Sequence, residues 1–225
     1  MNSDSFMGRF YQFGEAVLFL FYVNFLWIVF TLLGLFFLGI GPSTVAMFAV
    51  FRKWSMGEQG FAVFPVFWKS YREEFLKANG LFWLLFLFGM MLLVNLHYFE
   101  VNDPTINLLV KATFILTAIL YGLLLLYVFP LYVHYDRSIG QYIKNALLIS
   151  LYQPLRTMYL LAACFVLYYL WVTFSVFLFL FGPSLTSLVV MWICYRTFIR
   201  IEYKQSLLET SKTNGMSEGE ILSEK

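Results

Sequence analysis

Charge is missing from most of this chain. Asp, Glu, Lys and Arg are absent from 16–51, 78–99, 112–135 and 157–195. Only 12% of residues are charged and 61% are apolar, against about 25% and about 45–50% in soluble domains. An uncharged apolar run of 18 or more residues reads as a membrane-spanning helix, which excludes a soluble globular domain. Cysteine is sparse as well. Cys164 and Cys194 both lie in apolar runs, where cysteine acts as a small hydrophobe, and neither has CxxC or metal-ligand spacing. His97 and His134 fall near opposite ends of their helices; they cannot share an ion and read as interfacial. Walker A, GxSxG, HExxH and Gly-rich dinucleotide motifs are all lacking. We therefore expect no enzyme activity, no cofactor, no metal and no nucleic-acid partner. The span interiors hold no ionisable group, which argues against a proton relay; Glu15, at the edge of the first run, is the nearest candidate.

What is present is apolar length, and the basic residues around it sort by side. A crossing takes about 20 residues at 1.5 Å each. The runs 78–99 and 112–135 fit one crossing apiece, whereas 16–51 and 157–195 are too long for one. Lys and Arg collect on the cytoplasmic side of span ends. Six spans with both termini inside put every basic residue except Lys111 in the cytoplasm. The apolar stretch after Arg9 is too long for a signal peptide and has no small-residue cleavage site; it reads as a retained first span.

The sequence thus predicts an all-α, polytopic helical membrane protein with about six transmembrane helices. The spans are placed at 16–38, 42–56, 78–99, 110–134, 157–181 and 184–200. Two of the returns are Gly-Pro-Ser hairpins, at Gly41, Pro42 and Ser43 and at Gly182, Pro183 and Ser184. Glycine ends one helix and proline opens the next. The arm after Pro42 is short, so that turn sits below the outer surface, where irregular backbone survives only inside protein or beside a watery cavity. The segments 65–77 and 136–149 read as amphipathic helices at the inner headgroup boundary. The polar stretch 204–225 reads as a disordered cytoplasmic tail.

Three sets of residues are candidates for function. Asn24, Asn95, Thr113, Thr117 and Thr173 are polar groups inside spans; they serve as interhelical hydrogen bonders or as the lining for a small neutral solute. Arg52, Lys53, Trp54, Trp68, Tyr71, Phe75 and Arg137 are candidate docking or interfacial residues on the cytoplasmic segments. The two Gly-Pro-Ser triplets are the structural turns. The lipid bilayer is the one partner this pattern demands.

The stretch LGIGPSTVAMFAVFRKW at 38–54, with PVFWKSYREEFLKANG at 65–80, resembles the YesL-like family of bacterial integral membrane proteins, a domain of unknown function. The matching positions include Gly41, Pro42, Ser43, Arg52, Lys53, Trp54, Gly57, Glu58, Phe67, Trp68, Tyr71, Phe75 and Asn79. The resemblance implies a bacterial plasma-membrane protein. Its family context implies a link to carbohydrate uptake, with carbohydrate transporter subunits as partners, and it supplies no catalytic residues. Two functions stand side by side: an accessory subunit of a carbohydrate transporter, and a small permease or channel for a neutral solute such as a sugar.

Overall fold

The structure, a computed structural model, describes residues 6–58 and 60–223, with side chains described over 10–58 and 60–207. The final two residues of the tail lie outside the described residues. Eight helices follow one another: α1 (Phe6–Leu33), α2 (Ile40–Ser55), α3 (Val63–Glu73), α4 (Phe75–Tyr98), α5 (Pro104–His134), α6 (Ile139–Tyr152), α7 (Pro154–Thr173) and α8 (Ser175–Ser223). No strand occurs among the described residues. The all-helical, membrane-spanning class read from the sequence is the one found.

Five helices, α1, α4, α5, α7 and α8, are long and apolar enough to cross a membrane. α2 is not among them. Its 16 residues reach about 24 Å at helical rise. It is instead the central post of the bundle, packed against α1, α3, α4, α5 and α8, with Val45, Ala46, Met47, Val50 and Phe51 all at most 1% exposed. The two amphipathic helices pack inward as their periodicity requires. α3 buries Phe67 and Tyr71, and α6 buries Tyr142 and Ala146.

The first reversal is not at Gly41-Pro42-Ser43. Those residues form the first turn of α2. The chain turns over 34–39, where Leu35 and Phe36 take the left-handed backbone (φ 54° and 64°). Pro42 does open a helix, as expected, but no glycine supplies the left-handed residues. Gly34 and Gly39 serve a different need, because the turn folds tightly on itself. A Cβ on Gly39 would lie 2.3 Å from the Thr31 carbonyl oxygen. The turn packs beside α4, with Phe37 stacked on Trp83. Measured along α4, that point is about 25 Å from the 99–103 loop. The α1–α2 return is therefore set into the bundle beside the early turns of α4.

The second reversal is not at Gly182-Pro183-Ser184 either. Those residues lie inside α8, which runs on through Pro183. The chain returns at the single residue Phe174 (φ −122°, ψ 70°), which ends α7. The tail differs in the same way, since α8 carries 204–223 as helix.

Proline inside a helix strips the carbonyl four residues earlier of its partner. In hydrocarbon that carbonyl must be satisfied by protein. Pro130 and Pro183 inside helices, and Pro42 and Pro154 at helix starts, share one solution, a donor side chain placed on the carbonyl four residues earlier. For Pro183, the Asn24 Nδ2 donates to the Phe179 carbonyl at 3.0 Å, while the Ser184 N–H donates to Asn24 Oδ1 at 3.3 Å. For Pro42, Asn79 Nδ2 donates to the Leu38 carbonyl at 3.0 Å. For Pro154, Thr157 Oγ1 donates to the Ser150 carbonyl at 2.9 Å. For Pro130, the Cys194 thiol, a weak donor, faces the Leu126 carbonyl at 3.9 Å. All four donor residues are buried. This is why Pro183 interrupts nothing: α1 supplies what the helix lost.

Two predictions follow from this geometry. Asn24→Leu leaves the buried Phe179 carbonyl without its donor and should destabilise the protein by about 1–3 kcal/mol, read by thermal or SDS-induced unfolding in detergent. Pro183→Ala restores the backbone donor, so N24L/P183A should recover much of that loss, and the double-mutant cycle measures the coupling. Gly39→Ala forces backbone against backbone and should cost about 1–3 kcal/mol, whereas Gly140→Ala, with nothing within 4 Å of the added Cβ, should be neutral or stabilising.

Candidate functional site

The charges that the spans exclude reappear together at one end of the bundle. There the ends of α2 and α5 and the middle of α8 meet the α3–α4 junction and the start of α6. Arg52 falls in the last turn of α2, Glu74 between α3 and α4, and Lys77 in the first turn of α4. α5 ends at His134 and runs into Tyr135 and Asp136. These residues, with Tyr132 and Tyr142, line a crevice of about 360 Å³.

Nearly every group in the crevice is paired. The Arg52 Nε donates to His134 Nδ1 at 3.4 Å, and His134 Nε2 lies 3.2 Å from Glu202 Oε1. Arginine has no acceptor, so Nδ1 takes the bond with its lone pair and the ring proton sits on Nε2, facing Glu202. The Tyr135 hydroxyl donates to the same carboxylate oxygen at 2.8 Å. Burial first, and this bond second, hold the Tyr135 phenol well above its ordinary pKa, which keeps it a donor. Tyr132 donates to Glu74. Lys77 pairs with Asp136 at 3.1 Å and sits over the rings of Tyr132 and Tyr142 at 5.5 and 5.8 Å. The Tyr142 hydroxyl closes the α5–α6 turn, donating to the Tyr135 carbonyl at 2.8 Å and accepting the Arg137 N–H at 2.9 Å. Asp136 stands in solvent and Glu202 is half-exposed, so their ion pairs are screened; the buried members of the network are Tyr132 and Tyr142. The network acts as a clasp that holds α2, α4, α5, α6 and α8 in one arrangement.

The polar residues read as a lining do not converge. Asn24 binds α8. Asn95, Thr113, Thr117 and Thr173 each donate to the carbonyl four residues back in their own helix, at 2.7, 2.9, 2.8 and 2.9 Å. The docking set divides. Trp54 and Trp68 are 41% and 44% exposed, Arg137 is exposed, and Lys53 is half-exposed beside Glu58 at 3.1 Å. Tyr71 is buried and donates to the Phe30 carbonyl, Phe75 packs on Tyr71, and Arg52 turns into the crevice. Reasoning from sequence overlooked Glu74, Tyr132, Tyr135 and Glu202. They lie up to 128 positions apart in the chain, and only their closeness to span ends hinted at a shared site. Among the described residues, no three His, Cys, Asp or Glu side chains are grouped to hold a metal ion.

Residues 20–96 match the family described as "Protein of unknown function, DUF624". The chain is 39% identical over 188 residues to the uncharacterized protein YesV of Bacillus subtilis (strain 168), covering 84% of this chain and 90% of that one. It is 35% identical over 202 residues to the uncharacterized protein YteU, covering 90% of each. To the uncharacterized protein YesL it is 29% identical over 189 residues, covering 82% and 87%. Both belong to the same organism. No solved structure matches the chain.

The clasp makes a graded prediction. Glu202→Ala removes the acceptor of both His134 and Tyr135 and, because Glu202 is half-exposed, should destabilise the protein in detergent by up to about 1 kcal/mol. Glu202→Gln retains one acceptor oxygen and should lose clearly less. Equal losses in thermal unfolding would mean that the carboxylate matters by charge alone.

Proposed function

The chain belongs to the DUF624 family of proteins of unknown function, and on that premise we propose that it is an accessory membrane subunit assisting a carbohydrate transporter. In this reading it sits in a bacterial plasma membrane with both termini in the cytoplasm and carries out no reaction of its own. One observation supports the reading above the others. α3 and α6 are each anchored by an inward aromatic residue, Phe67 and Tyr142, and each holds a charged face outward. Lys69, Arg72 and Glu73 are exposed on α3; Arg137, Gln141 and Lys144 are exposed at α6. The Lys77–Asp136 and Tyr132–Glu74 bonds tie the α3–α4 junction to the end of α5 and the start of α6, so both charged faces are carried at this end of the bundle, where a partner can meet them. The carbohydrate link comes from the family context alone.

A second reading, a small permease or channel for a neutral solute such as a sugar, draws on the crevice itself, where Arg52, Glu74, Lys77 and tyrosines surround about 360 Å³. Sugar-loaded liposomes containing the purified protein would then release their load faster than sugar-loaded liposomes without protein.

The accessory reading predicts that affinity capture of the chain from its native membranes, after cross-linking, brings down subunits of a carbohydrate transporter. K69E/R72E should lower that recovery by roughly tenfold, about 1.4 kcal/mol, at unchanged thermal stability. Capture of the chain alone, or unchanged recovery with the variant, would rule the reading out.

A further inference from the structure

A second concave surface has no place in the reading above. It lies between the start of α7 and the middle of α8, at about 920 Å³, and its composition is one-sided. Arg156, Arg196, Arg200 and Lys204 line it together with Tyr152 and Trp192, and no carboxylate does. The residues 192, 196, 200 and 204 are spaced by four and so share one face of α8. The groove is therefore continuous along that helix.

Several of these side chains are held in place. Arg156 donates to Thr197 Oγ1 at 3.2 Å, which draws α7 against α8. The Arg196 guanidinium lies 3.7 Å from the centroid of the Trp192 ring, and stacking of this kind fixes its plane. Lys204 donates to the Tyr152 hydroxyl at 3.3 Å. The wall is amphiphilic. Leu155, which is 72% exposed, and Ile193 lie in the same groove as the cations. All of this occurs where the apolar run 157–195 ends and the first base appears on each side, Arg156 and Arg196. That is the level of the headgroups.

A ligand for this surface is anionic at one end and apolar at the other, and it approaches from the bilayer. We propose that the α7–α8 groove binds the phosphate-bearing headgroup of an anionic phospholipid, with acyl chains lying along Leu155 and Ile193. Guanidinium forks match phosphate oxygens in pairs. Basic pockets between spans hold such headgroups, and four cations suit a headgroup with two phosphates better than one with a single phosphate.

The test uses the full chain purified in neutral detergent. Native mass spectrometry and thermal unfolding are run with phosphatidylglycerol, cardiolipin, phosphatidylcholine and inorganic phosphate. Phosphatidylglycerol and cardiolipin should be retained and should raise the melting temperature, cardiolipin more, while phosphatidylcholine should do neither. R196Q/R200Q should weaken the anionic-lipid effect by roughly tenfold or more. R200Q alone, at an exposed position, should act in the same sense if the double variant folds poorly. Lys111→Gln removes a charge at the opposite end of the spans and should leave the lipid effect unchanged. Equal retention of phosphatidylcholine, or full lipid binding by R200Q and R196Q/R200Q, would overturn the proposal. A response to inorganic phosphate without one to phosphatidylglycerol would assign the groove to a soluble phosphate and overturn the lipid assignment.

Discussion

A backbone carbonyl in hydrocarbon has only protein to bond with, and this fold is arranged around that demand. Pro130 and Pro183 interrupt helical bonding while Pro42 and Pro154 open helices, and the oxygens of Leu38, Leu126, Ser150 and Phe179 each face a buried donor side chain. All four donors belong to a different element from the oxygen they meet. The bonds therefore do more than satisfy an oxygen; they set which helices touch. Asn24 ties α1 to α8, Asn79 ties α4 to the α1–α2 turn, and Cys194 ties α8 to α5. Residues that a hydropathy scan counts as minor polar exceptions, or as small hydrophobes, are the pins of the bundle.

The same accounting explains where charge goes. Burying an ion without a partner costs far more than burying a lone hydroxyl or amide oxygen, and the interior holds a few of the latter, at Thr31, Ser43, Ser55 and Asn79. Ionisable groups gather at the helix ends, where they pair across five elements. Arg52, His134, Glu202 and Tyr135 form one chain of contacts, and Tyr132, Glu74, Lys77 and Asp136 form another. Both meet the last turn of α5. The consequence is a stiff end carrying the outward faces of α3 and α6, and a neighbouring stretch of α7 and α8 whose cations have no carboxylate in their groove. Two surfaces of opposite character thus share one end of the molecule: a mixed-charge face and a purely basic one.

Much of the architecture was legible in the residues. Uncharged runs identify the membrane class; the apolar face read over 65–77 is split between α3 and the first turn of α4, and the one read over 136–149 falls mostly in α6, with Phe67, Tyr71, Tyr142 and Ala146 buried. The Gly-Pro-Ser triplets were misleading for a physical reason. Proline is compatible with the first turn of a helix and, if a donor arrives from elsewhere, with its interior. Local sequence cannot tell these apart. At Pro42 the first case holds, and at Pro183 the second. The true reversals carry little local signal: Leu35 and Phe36 take positive φ despite their side chains, and Phe174 turns the chain in a single residue.

By itself, then, the sequence determined that this chain is a helical membrane protein, where its longest apolar helices lie and that its cations flank them. These follow from the free energy of moving residues between water and hydrocarbon, which each segment settles with the solvent and not with its neighbours. Tertiary structure alone decided that α2 is a short central post, that α8 continues through Pro183, and that Arg52, Glu74, His134 and Glu202 form one site. Each of those outcomes depends on a hydrogen-bond partner 41 or more positions away, and a bond between distant residues exists only once the chain has brought them together.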